Sequence, residues 1–156
     1  MLKDLFDEKS IIVNLHAATK EGAIRELLEC VCKKHPSVKK DEALVALLSR
    51  EKSMSTGIMH GIAIPHANCS SLDTTAIAIG ISERGIQYGS LDGDAVHFVM
   101  LILFEEGFTE AHLKIMKEAA ELVMQHDFLK TVLAKKNAHE VYEILSSFEK
   151  MENDNG

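Results

Sequence analysis

The sequence predicts an α/β fold with some α+β character, in which helices flank a small mixed β-sheet within a single domain. Two apolar segments, residues 76–81 and 96–104, have the composition of strands, whereas much of the remaining chain repeats its apolar side chains at helical intervals. The 156 residues suit one domain, and no repeat or low-complexity linker divides them. We assign residues 1–150 to this domain and expect residues 151–156 to form a frayed polar tail.

The composition is that of an ordinary globular protein and argues against several classes of function. Hydrophobic residues make up 46% and charged residues 26% of the chain, which is enough to fill one core without a disulfide or a metal. The formal charge of -7, without a stripe of Lys and Arg, argues against nucleic-acid binding. The apolar runs are too short to span a bilayer and the N-terminus lacks a signal-peptide core, so we expect a cytoplasmic protein.

The first half of the chain predicts one short strand, two helices and a loop. Residues 11–13 are apolar and β-branched, as in a strand. Thr19 is a suitable N-cap for a helix that ends at residues 35–36, because a proline disfavours helical backbone in the residue before it. A second helix, over about residues 41–51, would carry Arg50 in its last turn. The following residues up to 71 are rich in Gly, Pro, Ser and Thr and predict loop with short extended pieces.

The second half predicts two strands followed by helices. Residues 76–81 alternate Ile with Ala or Gly, so one face of this strand is small enough for a helix or another backbone to approach closely. The nearly continuous apolar run 96–104 predicts a central strand buried on both faces. Three helix caps follow, and we predict them at Thr109, for a helix reaching about residue 126, at Asp127, and at Asn137, which with Glu140 resembles a capping box.

The most informative stretch is Ser55–Ala67, because a proline in it directly precedes a histidine. Residues 62–64 have an extended pattern, and Pro65 fixes its own φ angle, so His66 would leave the end of a strand in a set direction. A largely neutral imidazole offers a ring nitrogen as a nucleophile near pH 7, and a P–N bond is labile enough to pass a phosphoryl group on. The alternative is an ordinary surface or capping histidine.

Two further residues are candidates for binding phosphate oxygens. His112 follows the expected cap Thr109 by three residues and shares a helix face with apolar positions, so it would point inward at a helix N-terminus, where the dipole favours anions. Its ring either donates to a phosphoryl group or is a buried histidine bonded to a carbonyl. Arg50 either pairs phosphate oxygens or complements the C-terminal end of its helix. Free backbone N–H groups near Gly57 and Gly61 would add donors.

These residues together resemble the enzyme IIA component of the bacterial phosphotransferase system, of the fructose/mannitol and nitrogen-regulatory (PtsN-like) type. The hexapeptide Gly61–His66 (GIAIPH) is similar to the family's phosphorylation-site signature, and Arg50 with the triplet Ser55-Thr56-Gly57 precedes it as in the family pattern. His112 lies where the family has its second active-site histidine. The resemblance spans about residues 5–148 and implies a mixed sheet flanked by helices.

The resemblance implies a phosphoryl carrier, a component of a phosphotransferase. A phosphocarrier protein, HPr or a paralogue, would donate the phosphoryl group to Nε2 of His66, whose Nδ1 would donate to a backbone carbonyl. His112 and Arg50 would be the other catalytic residues, and the triplet Ser55-Thr56-Gly57 would bind the phosphate. In the transport branch the group passes to a cysteine of a IIB domain and on to sugar. In the regulatory branch the phosphorylation state controls a target protein.

Alternatives to this function come from the same residues. The chain carries no IIB, IIC or HPr segment, which favours the regulatory branch, and a non-catalytic binding module of the same fold is the first alternative. A metal-dependent hydrolase is more distant: His60 adds a third imidazole to His66 and His112, but no ligand-spaced motif such as HExxH is present. We therefore predict no metal and no cofactor, no nucleic-acid partner, and membrane contact only through a transporter partner. His97, within a predicted buried strand, is expected to be structural.

Overall fold

A mixed β-sheet lies between two layers of helices in the computed structural model, which describes residues 2–57, 60–107 and 109–155, with side chains through residue 148. The strands are β1 (Ile11–Ile12), β2 (Ile62–Ala63), β3 (His66–Asn68), β4 (Ala76–Ile86) and β5 (Val96–Phe104). The α-helices are α1 (Lys20–Lys34), α2 (Lys40–Ser53), α3 (Glu110–Val123), α4 (Phe128–Leu133) and α5 (Ala138–Asn155), and two 3-10 helices precede β1, at Leu2–Leu5 and Glu8–Ser10. The predicted fold class, a mixed α/β single domain, is confirmed.

The strand order is β1-β4-β5-β2, and β3 pairs with the same edge of β5 as β2 does. Strand β4 runs antiparallel to β5, whereas β1, β2 and β3 are parallel to their neighbours. The pairing of Ile62 with Phe98 and that of His66 with Ile102 have the same register, so β2 and β3 are two parts of one interrupted edge strand. The interruption contains Pro65, which lacks an N–H group and so is confined to a sheet edge or a break.

The alternation of side chains on β4 and β5 divides the apolar core into two clusters. One cluster contains Ile77, Ile79 and Ile81 of β4 and faces α3, α4 and α5, and the other contains the alanines and Ile86 of β4 and faces α1 and α2. The small face of β4 packs against α1, as predicted, and a Cβ atom built on Gly80 would lie 2.6 Å from the Leu15 side chain. Strand β5 contributes to both clusters, so the prediction of a strand buried on both faces is confirmed.

Three of the predicted caps are formed by the expected side chains. The hydroxyl of Thr19 accepts from the Gly22 N–H at 3.2 Å, and the hydroxyl of Thr109 accepts from the N–H of the third residue after it, also at 3.2 Å. The side chain of Asn137 accepts from the Glu140 N–H at 2.9 Å, while the Glu140 carboxylate reaches back to a backbone N–H. Local sequence therefore determines where α1, α3 and α5 begin.

The structure differs from the sequence predictions at four other places. Asp127 precedes α4 but makes no capping bond, because its backbone is left-handed (φ 57°) and its carboxylate pairs with His126. Helix α3 ends at Val123, before the expected residue 126. Strand β4 continues past residue 81 to Ile86 through a register shift. The backbone of α5 is helical over residues 151–155, which were expected to fray.

None of the helices within the described part of the chain is long and apolar enough to cross a bilayer.

Candidate active site

His66 is the first residue of β3, and its ring is held by the chain that precedes it. Its Nδ1 lies 2.8 Å from the carbonyl oxygen of Ile64. A carbonyl oxygen only accepts hydrogen bonds, so Nδ1 carries the proton and the lone pair of the neutral ring lies on Nε2. The side chain is half-buried, so it retains contact with solvent. In this tautomer Nε2 is the ring nitrogen with a free lone pair.

The surroundings of His66 favour the neutral ring. Burial lowers the pKa of His66 below its usual value of 6.5, and the positive charge of Arg50 lowers it further. The hydrogen bond to Ile64 and the negative charge of Glu51 oppose this shift without reversing it. At pH 7 the imidazole is therefore largely unprotonated and its lone pair is available.

The sheet register places His66 and His112 on one face of the sheet. His66 pairs with Ile102, and two residues later Asn68 pairs with Phe104; paired residues in a parallel ladder point to the same face. Ile102 and Phe104 belong to the core cluster beneath α3, and the ring of His112 stacks on Phe104 with centroids 4.5 Å apart. His66 on β3 and His112 on α3 therefore both lie beside the C-terminal end of β5.

His112 is buried at the N-terminal end of α3 and bonds to a carboxylate rather than to a carbonyl. The residue is 5% exposed, and its Nε2 lies 2.8 Å from Oε1 of Glu105. The second carboxylate oxygen of Glu105 accepts from the hydroxyl of Thr75 at 3.0 Å. Burial alone would raise the pKa of Glu105, but the hydrogen bonds from His112 and Thr75 lower it below the usual value. The ionised carboxylate only accepts, so Nε2 of His112 carries a proton.

Arg50 lies in the last turn of α2, which packs against β3. Its Nη1 donates to the carbonyl oxygen of Met54, the C-cap residue of α2, at 2.9 Å. This contact agrees with one of the two alternatives predicted from the sequence, in which Arg50 complements the C-terminal end of its helix. The guanidinium is also close enough to His66 to lower the pKa of that ring, which leaves the second interpretation, pairing with phosphate, consistent with its position.

The triplet Ser55-Thr56-Gly57 flanks the edge strand that carries His66. The carbonyl of Thr56 accepts from the N–H of Ile64 at 3.2 Å, so this N–H group of the interrupted strand has a hydrogen-bond partner. The N–H and hydroxyl of Thr56 both donate to the carboxylate of Glu51, and the N–H of Gly57 donates to the Ser55 hydroxyl at 3.1 Å. These donors therefore have partners within the protein, and their binding of phosphate stays a prediction.

Glu51 is the centre of a buried polar cluster that the sequence analysis did not identify. Its side chain is 3% exposed and accepts from Tyr88 at 3.0 Å, from Lys20 at 3.2 Å and from Thr56. Burial raises the pKa of Tyr88, so its hydroxyl remains a donor at neutral pH. The sequence did contain a signal for Glu51, since it lies four residues after the buried Leu47 and so falls on the apolar face of α2.

The remaining histidines lie outside this arrangement. Within residues 2–57, 60–107 and 109–148, the one group of side chains with the spacing of metal ligands is His60 with Asp92 and Asp94, all exposed and with ligand atoms within 4.8 Å of one another. It includes neither His66 nor His112, so the structure does not bring together the three imidazoles named from the sequence. Nδ1 of His97 donates to the carbonyl of Ser82 at 2.8 Å, as expected of a structural residue.

Residues 4–148 match the family described as the phosphoenolpyruvate-dependent sugar phosphotransferase system, EIIA 2. The chain belongs to this family. The match covers α1 to α4, the part of α5 up to residue 148 and every strand of the sheet, including the hexapeptide that ends at His66. The resemblance inferred from the sequence is thereby confirmed.

Relatives of this EIIA domain have names from both the transport and the regulatory branches. The chain is 32% identical over 149 residues to the fructose-specific EIIABC component of Bacillus subtilis, covering 96% of this chain but only 24% of that protein, so it spans about a quarter of that relative. It is 32% identical over 129 residues to the fructose-specific EIIA component of Haloferax volcanii (83% of this chain, 84% of that protein). A nitrogen regulatory protein of Bradyrhizobium diazoefficiens is 31% identical over 147 residues (93% and 94%).

Solved EIIA structures share the fold. The nitrogen regulatory protein IIA-Ntr from Neisseria meningitidis superposes with a TM-score of 0.84 at 22% identity, covering 92% of this chain and 98% of that one. The enzyme IIA mannitol of Escherichia coli gives 0.75 at 24% identity, covering 90% and 98%. The same enzyme has been solved in complex with phosphorylated enzyme IIB mannitol, with a TM-score of 0.77 at 23% identity and coverage of 91% and 97%.

Proposed function

We propose that this EIIA domain carries a phosphoryl group on Nε2 of His66, which it accepts from a phosphohistidine of an HPr-like protein. The observation that carries the proposal is the hydrogen bond from Nδ1 of His66 to Ile64 O, at 2.8 Å, because it leaves the lone pair on Nε2 of a largely neutral ring. The group then passes to a IIB cysteine or remains as a signal that a target protein recognises.

The transfer needs no proton to move at His66. The P–N bond of the donor histidine breaks as the lone pair of Nε2 forms a new P–N bond, and the electron pair returns to the donor ring. Nδ1 of His66 keeps its proton throughout and continues to donate to Ile64, now from a ring with greater positive character. A stronger hydrogen bond in the product stabilises the phosphorylated state.

The other candidate residues have separate roles in this proposal. His112 and Arg50 stabilise the charge on the transferring oxygens, one from the N-terminal end of α3 and the other from the end of α2. The triplet Ser55-Thr56-Gly57 forms the wall of the phosphate site beside the edge strand. Its donors now bond within the protein, so we expect phosphate binding to exchange some of those bonds for bonds to phosphoryl oxygens.

We favour the nitrogen-regulatory branch, and the transport branch is the second candidate. The 31% identity with the nitrogen regulatory protein of B. diazoefficiens supports the first, and the 32% identity with the fructose-specific component of H. volcanii supports the second. Both branches use the same chemistry and differ in the acceptor. Transfer from the phosphorylated domain to a fructose-type IIB cysteine would select transport. In either case we propose action in the cytoplasm, without a metal or cofactor, and membrane contact only through a transporter partner.

The proposal is tested by incubating the protein with phosphoenolpyruvate, enzyme I and HPr and measuring its intact mass. The wild-type chain should gain one acid-labile phosphoryl group, and His66→Ala should gain none. His126→Ala is the matched control, because that side chain is 97% exposed and lies outside the site, and it should gain the group as the wild type does. A wild type that gains nothing would overturn the proposal in favour of a non-catalytic binding module.

A further inference from the structure

A chain of three side chains leads from β4 to the buried ring of His112. Thr75, directly before β4, donates to one oxygen of Glu105, and the other oxygen of Glu105 accepts from Nε2 of His112. Thr75 is 7% and His112 5% exposed, so both ends of the chain are buried. Glu105 directly follows the last residue of β5. The hydrogen bonds therefore join the start of one central strand, the end of the other and the first turn of α3.

We propose that Glu105 is a positioning residue for phosphoryl transfer, which holds His112 with Nε2–H toward its own carboxylate and Nδ1 toward the phosphoryl group on His66. This inference rests on the proposed function of His66. Among the described residues Nδ1 of His112 has no hydrogen-bond partner, whereas Nε2 is fully committed to Glu105. Stacking on Phe104 restricts rotation of the ring.

The negative charge of Glu105 bears on phosphoryl transfer because the same carboxylate keeps the proton of His112 on Nε2. With the proton on Nε2, a neutral His112 ring presents a lone pair at Nδ1, and this lone pair repels phosphoryl oxygens. A second proton on Nδ1 converts that position into a donor, and the adjacent carboxylate stabilises the resulting imidazolium. A neutral partner in place of Glu105 would orient the ring without stabilising its charge.

The neighbouring residue supplies a matched control. Glu106 is exposed and has no hydrogen bond or ion pair within the described part of the chain, so Glu106→Gln makes the same change of charge one position away. Glu105→Gln retains an acceptor oxygen and removes the charge. Thr75→Val removes the hydroxyl that holds Glu105, at similar volume and without touching His112.

The test combines phosphotransfer rates with ¹⁵N spectra of the histidines. We expect Glu105→Gln to slow phosphorylation of His66 by roughly 10- to 100-fold, a typical effect of losing a group that orients a functional histidine. Thr75→Val should slow it less, and Glu106→Gln should remain within about twofold of the wild type. In the wild type, the ¹⁵N signals of His112 should show a proton on Nε2 and should respond to phosphorylation of His66, whereas in Glu105→Gln this response should be smaller.

The outcomes separate this inference from the proposed function. If the wild type is phosphorylated on His66 and Glu105→Gln matches it in rate and in the His112 signals, the positioning role is wrong while the function stands. A variant that loses thermal stability but keeps the wild-type His112 signals also contradicts it, because only structure is then affected. If Glu105→Gln does not fold, Thr75→Val carries the test: an unchanged rate and an unchanged response of His112 overturn the inference. A wild type that takes up no phosphate contradicts the proposed function itself.

Discussion

Nδ1 of His66 donates to the carbonyl oxygen of Ile64, two residues earlier and 2.8 Å away. Pro65 lies between them and lacks an N–H group, so the edge strand is interrupted there. The carbonyl of Pro65 still accepts from the N–H of Ile102 on β5. The nitrogen that we propose as the nucleophile is thus selected by three consecutive residues of one short segment. The rest of the domain holds that segment in place and supplies charge around it.

Replacement of His112 by alanine should slow phosphoryl transfer without abolishing it. The variant loses the buried imidazole that we propose acts on the transferring oxygens from the N-terminal end of α3, and the loss of one such well-placed group typically costs about 10²- to 10³-fold in rate. Rapid-quench measurement of phosphorylated protein against time gives the rate. The exposed His126→Ala should behave as the wild type. A rate for His112→Ala within twofold of the wild type would remove this residue from the proposed mechanism.

Replacement of Arg50 by glutamine should raise the pKa of His66, which burial and the Arg50 charge hold below 6.5 in the wild type. Below its pKa the ring is protonated at Nε2 and cannot attack, so the acid limit of phosphotransfer should move to higher pH in Arg50→Gln. The unfolded chain binds this proton more readily than the folded one, so falling pH through that range also favours unfolding. An NMR titration of the ring measures the shift.

The matched control for this titration is Lys52→Gln, which removes an exposed positive charge two residues along the same helix. Its effect on the pKa of His66 should be smaller, because solvent screens exposed charges. Equal shifts in the two variants would show that Arg50 acts through net charge alone. That result would argue against a specific place for its guanidinium at the site.

Replacement of Glu51 by alanine should lower the free energy of unfolding, while the hydrogen bond from His66 to Ile64 remains. The change leaves the Lys20 ammonium and the Tyr88 and Thr56 hydroxyls without their common acceptor, and breaking a buried ion pair costs about 3–5 kcal/mol. Urea denaturation measures the free energy of unfolding. Glu21→Ala, which removes an exposed pair with Arg25, should cost less than about 1 kcal/mol. A similar, small cost for both would contradict the role assigned to Glu51.

Features encoded by adjacent residues could be predicted from the sequence. The strand 96–104, the caps at Thr109 and Asn137, and the inward direction of His112 depend on hydrophobic pattern or on side chains within one turn. The site hexapeptide is of the same kind, because proline restricts the backbone on both sides of itself. Each of these predictions required only the identity of neighbours along the chain.

Features that depend on distant partners could not be predicted. Glu105 and Thr75 are 30 residues apart, and Tyr88 is 37 residues from the carboxylate that it donates to, so no local pattern relates them. Asp127 has the side chain of a good N-cap, but its left-handed backbone and its pairing with His126 prevent that use. Acidic residues are usually solvated, and burial of a carboxylate is apparent only when its donors are seen around it.

The most direct test of the central claim is to identify which nitrogen of which histidine carries the phosphoryl group. The protein labelled with ¹⁵N-histidine is phosphorylated by phosphoenolpyruvate, enzyme I and HPr, and long-range ¹H–¹⁵N spectra assign the modified nitrogen. The structure predicts Nε2 of His66, with Nδ1 of the same ring still protonated. Phosphorylation of Nδ1 of His66, or of another residue, would contradict this account.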